Sequence, residues 1–215
     1  MKDIAIYGAG GFGREIACLL NLINKSAPEP IWNLVGFFDD GLEKGSQNEY
    51  GPVLGNINDL NGWGKPISIA LAIGSPKILN LLTQKIVNDK VDFPNIIAPN
   101  VVFLDQSSVQ MGKGNLICSN CLFSCNVKIG DFNIFNGFIP VGHDVEIGDC
   151  NVVMPSVNIS GAVKIGNGNF LGVQSVVLQC LKIGNDTRIG AGSVVIRNTK
   201  DGFLYMGNPA TKMNF

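Results

Sequence analysis

The chain contains a single histidine in 215 residues, His143, which lies in the stretch IPVGHDVEIGD. Long apolar runs are also missing: the longest, ISIALAIG, is far shorter than the ~20 residues that cross a bilayer. The first residues, MKDIAIYGAG, lack the apolar core and the small-residue cleavage site of a signal peptide. We therefore expect a chain that has no membrane partner and is located in the cytoplasm.

An excess of charge of either sign is absent as well. The 16 Lys and Arg residues nearly balance the 17 Asp and Glu residues, and no basic cluster is long enough to follow a phosphate backbone. Nucleic acid is therefore excluded as the main partner. A hydrophobic content of 46% and 27 glycines instead predict a soluble globular protein with a substantial core, folded as one large or two small domains.

The cysteines lack the nearby partners that a zinc site needs. Cys118, Cys121 and Cys125 form a CxxCxxxC string, but no second cysteine pair lies close to it and the sole histidine is farther along the chain. We predict that the protein has no metal and that these cysteines act as small hydrophobic residues. A cluster completed by Cys150 or Cys180 remains the alternative.

The first 94 residues alternate strand-like and helix-like segments. Strands are predicted at residues 4–10, 34–40 and 67–74, and helices at 14–23 and 76–87. This order predicts a small parallel sheet with crossover helices, which is a Rossmann-like α/β domain over residues 1–94.

A glycine motif, Gly8-x-Gly10-x-x-Gly13, lies between the first strand and the first helix of this domain. Glycines there let the backbone turn tightly and approach a diphosphate, which then binds at the positive end of the helix. Asp39 and Asp40 end the second strand, where an acid can accept hydrogen bonds from a ribose or a base. The domain has room for about half of the six strands of a dinucleotide fold, which favours a mononucleotide or a nucleotide-linked compound over NAD. Alternatively, the glycines serve only the turn.

From about residue 95 the pattern changes to a period of six. Every sixth residue from Met111 to Val195 is large and apolar. The fifteen positions are Met111, Ile117, Phe123, Ile129, Phe135, Val141, Ile147, Val153, Ile159, Ile165, Leu171, Val177, Ile183, Ile189 and Val195. Such a repeat predicts a parallel β-helix with three hexapeptides per coil and about five coils, with these residues pointing inward. The tail DGFLYMGNPATKMNF loses the period, so we expect it to cap a β-helix domain that spans residues 95–215.

Together these features resemble the hexapeptide-repeat, or left-handed β-helix, acyltransferases. More narrowly, they resemble the bacterial sugar acetyltransferases that carry a nucleotide-binding α/β domain before the β-helix and act in bacillosamine and perosamine synthesis or sialic-acid O-acetylation. The motifs that carry the resemblance are YGAGGFG, FDD, LAIGSP, GHDVEIGD, IGAGSVV and GNPATKM. The resemblance implies an α/β plus all-β fold and transfer of acetyl from acetyl-CoA, without a metal, to a small-molecule sugar. It also implies a homotrimer with the acyl donor held between neighbours.

In this family a histidine followed by Glu or Asp is the general base, which corresponds to His143 and Asp144. The residue type agrees, because an imidazole can be unprotonated near neutral pH and accept a proton from the attacking nucleophile. Adjacent strand residues point to opposite faces, so Asp144 can orient the ring only if the pair lies at a corner of the coil. The position of His143, two residues after the inward-pointing Val141, favours a corner. The alternative is an exposed turn histidine without a function.

The resemblance also assigns roles to residues outside this pair. The backbone N–H of Gly161 would stabilise the oxyanion, CoA would lie along Val173 and Ala191, and Asn136 would contact the sugar. The nucleotide would be held by Gly10, Gly11, Phe12, Asp39 and Asp40. A structural role, as in an asparagine ladder, is the alternative for Asn136.

Two positions depart from the family pattern. Many relatives carry a second histidine near the CoA thioester, nine residues after the base, and here that position in the cofactor site is Val152. Relatives also often have an acid directly before the base, where this chain has Gly142. Both changes bear on the acceptor and on the contact with CoA.

The leading hypothesis is an acetyl-CoA-dependent N-acetyltransferase that acts on a nucleotide-linked amino sugar, with UDP as the expected nucleotide, for a cell-surface glycan. O-acetylation of a sialic or related sugar acid is the alternative within the same class. An NAD-dependent oxidoreductase is disfavoured because the first half has no evident acid–base residue and too few strands. A β-helical protein that binds a nucleotide sugar but has lost its chemistry is the alternative that Val152 suggests.

Overall fold

The computed structural model describes residues 1–213, and its first part is a six-stranded sheet with helices. Its elements are β1 (Lys2–Tyr7), α1 (Gly11–Ser26), β2 (Trp32–Phe38), β3 (Gln47–Asn48), β4 (Gly51–Gly55), α2 (Ile57–Asn61), β5 (Ile67–Leu71), α3 (Pro76–Lys85) and β6 (Val91–Asp92). The strand order is β3-β4-β2-β1-β5-β6, and all neighbours are parallel except β3 and β4. The predicted Rossmann-like domain is confirmed.

The central strands are apolar because parallel sheets are covered on both faces. All five residues of β5 and the last four of β1 are buried. The chain leaves β1 toward β2 on one side and returns to β5 on the other, so β1 marks the switch point where such sheets bind ligands. The predicted count of three strands was too low, because β3 and β6 have two residues each and β4 contains two glycines and a proline.

The second part is a parallel β-helix. Its strands are β7 (Ile96–Ile97), β8 (Val102–Phe103), β9 (Gln110–Met111), β10 (Leu116–Ile117), β11 (Leu122–Phe123), β12 (Lys128–Ile129), β13 (Ile134–Phe135), β14 (Pro140–Val141), β15 (Glu146–Ile147), β16 (Val152–Val153), β17 (Asn158–Ile159), β18 (Lys164–Ile165), β19 (Phe170–Leu171), β20 (Val176–Val177), β21 (Lys182–Ile183), β22 (Arg188–Ile189), β23 (Val194–Val195), β24 (Leu204–Met206) and β25 (Thr211–Lys212).

These strands form three faces. The first face contains β7, β10, β13, β16, β19, β22 and β24, with β25 added antiparallel at its end. The second face contains β8, β11, β14, β17, β20 and β23, and the third contains β9, β12, β15, β18 and β21. Each strand from β9 to β23 ends on one of the fifteen periodic apolar residues, which confirms the repeat. An additional first coil starts at Ile96, and the 3₁₀ turn Gln106–Ser108 hides it by breaking the period.

The corners between the faces need backbone in the left-handed region. Eleven residues other than glycine have φ between 49° and 63° at these corners. They are Asn120, Asn126, Phe132, Phe138, Asp144, Cys150, Ser156, Ala162, Gln174, Cys180 and Asp186.

A ladder of buried asparagines keeps successive coils in register. Asn115, Asn133, Asn151 and Asn169 are fully buried and stacked at intervals of 18 residues. The side-chain Nδ2 of each of the last three donates to the side-chain Oδ1 of the asparagine before it, at 2.9 to 3.1 Å. Each buried bond of this kind contributes about 1 kcal/mol to stability, and leaving one partner unpaired costs more.

The first face of the β-helix packs against the α/β part. Its outward residues Leu116, Ile134 and Val152 are buried in one apolar cluster with residues of the sheet and of α1. The sheet ends at Asp92 and the first coil begins at Ile96. We propose 1–94 and 95–215 as the domain limits; Asn214 and Phe215 of the predicted cap lie outside the described residues. Within residues 1–213, no helix has the length and apolar character needed to span a bilayer.

Candidate active site

His143 and Asp144 lie at the corner that joins the second face to the third, directly after β14 and Gly142. Asp144 has φ of 57°, and this turn brings its side chain back toward its neighbour. Nδ1 of His143 lies 2.8 Å from Oδ2 of Asp144. The corner that the sequence predicted is therefore present, and Nε2 is left as the ring nitrogen that can accept a proton.

Asp144 has a second partner that sequence reasoning missed. Nδ2 of Asn126, one coil earlier, donates to Oδ1 of Asp144 at 3.0 Å. The hydrogen bond from His143, followed by that from Asn126, holds the pKa of the Asp144 carboxyl below its usual value. The sequence signal that could have found this contact is the interval of 18 residues between Asn126 and Asp144, which is one full coil.

Gly161 lies one coil after His143 and directly against its ring. A Cβ on Gly161 would be 2.6 Å from Nε2 of His143, so only glycine leaves room for the imidazole in this position. The N–H of Gly161 donates to no acceptor within residues 1–213. Gly142 keeps this amide uncovered, because a Cβ there would lie 2.6 Å from the Gly161 nitrogen. A proton acceptor and an unpaired donor thus lie side by side.

Val173 and Ala191 lie at a different corner. They follow β19 and β22, where the first face turns into the second, and Gly192 N donates to the Val173 carbonyl at 2.8 Å. The second face separates this corner from His143. One protomer therefore does not bring the predicted CoA residues together with the base.

Asn136 lies at that same kind of corner, after β13. It lines a cavity of about 360 Å³ between the β-helix and α1, together with Glu15, Leu22 and Phe138. The cavity walls are mostly apolar, and Asn136 takes no part in the buried asparagine ladder. Asn136 therefore does not belong to the asparagine ladder, and its contact with the sugar stays a prediction.

Val152 is not at the site. It has no exposed surface and is packed in the apolar cluster between the β-helix and the α/β part. The prediction that Val152 lies beside the CoA thioester is corrected, because a side chain without exposed surface cannot contact a cofactor.

The glycine loop begins α1 and leaves backbone donors free. Gly10 is the N-cap of α1, and no atom lies within 4 Å of a Cβ built on Gly10 or Gly11. The N–H groups of Gly10, Gly11 and Phe12 have no acceptor in the described part of the chain. A side chain at Gly13 would overlap the carbonyl of Gly8, which explains the third glycine of the motif. Such a helix start is suited to a diphosphate.

Asp39 and Asp40 differ in how many hydrogen bonds their carboxylate oxygens already accept. Oδ2 of Asp39 accepts from Ala9 N at 2.8 Å and Oδ1 accepts from Gly41 N at 2.8 Å. Asp40 accepts one bond, from Ile57 N at 3.0 Å. Asp39 thus shapes the loop with both oxygens, whereas Asp40 accepts one backbone bond and has the Tyr7 hydroxyl as a neighbour.

The cysteine string does not gather into a ligand set. Cys121 points into the coil and is 1% exposed, while Cys118 and Cys125 lie at different corners. Residues 1–213 contain no group of three or more His, Cys, Asp or Glu side chains arranged to hold a metal ion.

Two family models match this chain. The PglD N-terminal domain matches residues 3–86, and the bacterial transferase hexapeptide (six repeats) matches residues 162–197. A histidine-to-asparagine variant of perosamine N-acetyltransferase from Caulobacter crescentus, in complex with CoA and GDP-perosamine, matches with 25% identity and a TM-score of 0.86 over 100% of this chain and 98% of that chain. In both of its parts the chain is similar to the left-handed β-helix, hexapeptide-repeat acyltransferases. The predicted resemblance is confirmed.

Two further solved structures match this chain along its length. The acetyltransferase domain of PglB from Neisseria gonorrhoeae, in complex with acetyl coenzyme A, has 26% identity and a TM-score of 0.87 over 99% of both chains. WeeI from Acinetobacter baumannii has 29% identity and a TM-score of 0.87 over 99% of this chain and 100% of that chain. A search of curated protein sequences gives no match.

Proposed function

We propose that the protein transfers acetyl from acetyl-CoA to the amine of a nucleotide-linked amino sugar, with His143 as the general base. The observation that carries the proposal is the arrangement of Nδ1 on Asp144 and Nε2 beside the free N–H of Gly161. Solved relatives support it, since perosamine N-acetyltransferase binds CoA and GDP-perosamine and the PglB domain binds acetyl coenzyme A.

In the proposed reaction His143 accepts a proton at Nε2 as the sugar amine attacks the thioester carbonyl carbon. Gly161 donates its N–H to the oxygen on which negative charge develops. Nε2 then returns the proton to the sulfur as the carbon–sulfur bond breaks, so the products are an N-acetyl sugar and CoA with a free thiol. Asp144 stays ionised throughout and keeps the imidazole proton on Nδ1.

The proposed acceptor spans the two parts of the chain. Its diphosphate binds the free N–H groups of Gly10, Gly11 and Phe12, and Asp40 accepts a hydrogen bond from the nucleoside. The sugar enters the cavity beside α1, where Asn136 supplies the polar contact. A UDP-linked amino sugar is the first acceptor to test and a GDP-linked one the second.

The active assembly is proposed to be a homotrimer in which CoA lies between neighbours. The outward residues of the third face are polar or charged, but large apolar residues are exposed on and beside the second face. These are Val102, Leu104, Phe138, Val173, Leu178 and Ile196. A second copy of the chain would cover them and would bring a corner like that of Val173 and Ala191 to His143. The expected mass in solution is three times the 22.9 kDa of the chain.

The reaction is proposed to take place in the cytoplasm, because the proposed co-substrate acetyl-CoA is a cytoplasmic metabolite. No metal enters the proposed chemistry: the chain supplies the base and the oxyanion donor, and His143 passes the proton of the acceptor amine to the leaving sulfur.

An acceptor screen with detection of the free CoA thiol tests the function. Thiol release with a UDP- or GDP-linked amino sugar, lost in His143→Ala, is the expected result. Consumption of an acceptor that lacks a free amine would instead indicate O-acetylation, as in a sialic-acid-type enzyme. Nucleotide-sugar binding without thiol release across the whole panel would overturn the proposal in favour of a binding protein.

A further inference from the structure

Asn126 lies at the left-handed corner one coil before Asp144, with φ of 57°. Its backbone is held by the preceding coil, because the N–H of Asn126 donates to Oγ of Ser108 at 2.8 Å. Its side chain then reaches Oδ1 of Asp144 at 3.0 Å. The amide nitrogen must face the carboxylate, since an amide oxygen in that position would repel it.

The contact matters because the catalytic pair is open to water. The side chains of His143 and Asp144 are 62% and 54% exposed in the single chain. An exposed carboxylate next to a histidine would otherwise rotate and exchange its partner for solvent. With Oδ1 held by Asn126, Oδ2 stays directed at Nδ1 of the ring.

We infer that Asn126 is a positioning residue for the proposed reaction: its amide fixes Asp144, and Asp144 in turn keeps the His143 imidazole in the tautomer that leaves Nε2 unprotonated. Asn126 touches no substrate and acts through Asp144. The inference rests on the proposed function, but its main consequence, the tautomer of the ring, exists without any substrate.

Alanine at this corner is compatible with the fold. The column that contains Asn126 and Asp144 continues with Ala162, which has φ of 57° as well. Asn126→Ala therefore removes the side-chain amide and requires only a backbone conformation that Ala162 already adopts. Asn126→Asp keeps the shape of the side chain but replaces the donor with a negative charge that repels Asp144.

The test uses the sole histidine of the chain as a probe. In intact protein with ¹³C- and ¹⁵N-labelled histidine, at a pH where the ring is neutral, we expect the Nδ1–H tautomer to dominate in the native chain. Asn126→Ala should shift the ring toward the Nε2–H tautomer, and Asn126→Asp should do so at least as strongly. The kcat should fall about tenfold in Asn126→Ala, as for other partners that orient a catalytic group, with the KM for acetyl-CoA unchanged.

Asn120→Ala is the matched control. Asn120 lies one corner earlier, has φ of 62° and also makes a side-chain bond, with Asn100 at 3.0 Å. This control should change neither the tautomer nor kcat. An unchanged tautomer ratio and an unchanged kcat in Asn126→Ala would overturn the inference. A native protein without turnover would refute only the proposed function, because the tautomer measurement needs no substrate.

Discussion

The two parts of the chain both hold unpaired backbone N–H groups, but for different purposes. At the start of α1, three such groups, on Gly10, Gly11 and Phe12, face open space next to a helix end. On the β-helix the free N–H of Gly161 belongs to a residue that lies against the imidazole of His143. The first arrangement is suited to a static anion and the second to a charge that appears only during the reaction. The difference indicates that the proposed nucleotide binding uses the α/β part, whereas the proposed acetyl transfer uses the β-helix.

Removing the base tests the separation most severely. His143→Ala should lower kcat by at least ~100-fold, as expected for loss of a general base. The Kd for the nucleotide sugar should stay within about twofold, because the groups proposed to bind the nucleotide lie on the α/β part and Asn136 lies at a different corner from His143. Isothermal titration alongside kinetics measures both quantities. Loss of nucleotide-sugar binding in this variant would contradict the separation.

The oxyanion position on the β-helix can be altered without removing the base. Gly161→Ala places a Cβ against Nε2 of His143, so the imidazole must move away from the Gly161 amide. We expect kcat to fall about 100-fold, at the lower end of the loss of an oxyanion donor. Gly64→Ala, where a Cβ meets nothing within 4 Å, is the control and should leave kcat unchanged. Full activity in Gly161→Ala would remove Gly161 from the site.

The pH dependence distinguishes the two members of the catalytic pair. Hydrogen bonds from His143 and Asn126 lower the pKa of Asp144, so its carboxylate stays charged as the pH falls through the range in which imidazoles titrate. Asp144 should therefore not limit activity on mild acidification, and a fall in kcat there would report loss of the general base or of the free acceptor amine. A kcat profile measured between pH 5 and 8 tests this expectation. An activity that is constant down to pH 5 would contradict a histidine base.

Val152 gives the smallest expected effect on catalysis. Val152→Ala removes buried methyl groups between the two parts and should cost about 1–2 kcal/mol of unfolding free energy. The KM for acetyl-CoA should not change, because the side chain has no exposed surface. Chemical denaturation and steady-state kinetics provide the two readouts. A raised KM for acetyl-CoA with unchanged stability would return Val152 to the cofactor site.

The sequence predicted the repeating strands of the β-helix better than the first coil and the short strands of the α/β part. A period of six locates an inward residue on every strand from β9 to β23, because identical coils demand the same inward volume. The coil that starts at Ile96 is out of phase with the six-residue period, because the turn Gln106–Ser108 adds two residues before β9. The short strands β3 and β6 carry too few residues for any periodic signal.

At the site, the local pair was predictable and the contacts across coils were not. The corner under His143 follows from its offset from Val141, whereas the bond from Asn126 depends on stacking 18 residues apart. The prediction that Val152 contacts CoA was wrong for a related reason. An outward apolar residue has the same sequence pattern whether it meets a cofactor or, as here, another domain.

The most direct test of the account compares one acceptor with and without its nucleotide. If the α/β part binds the nucleotide while His143 acts on the amine, kcat/KM for thiol release should be at least ~100-fold higher for the nucleotide-linked amino sugar than for the free sugar, since remote binding energy is used at the reacting centre. Equal kcat/KM values for the two acceptors would contradict the account.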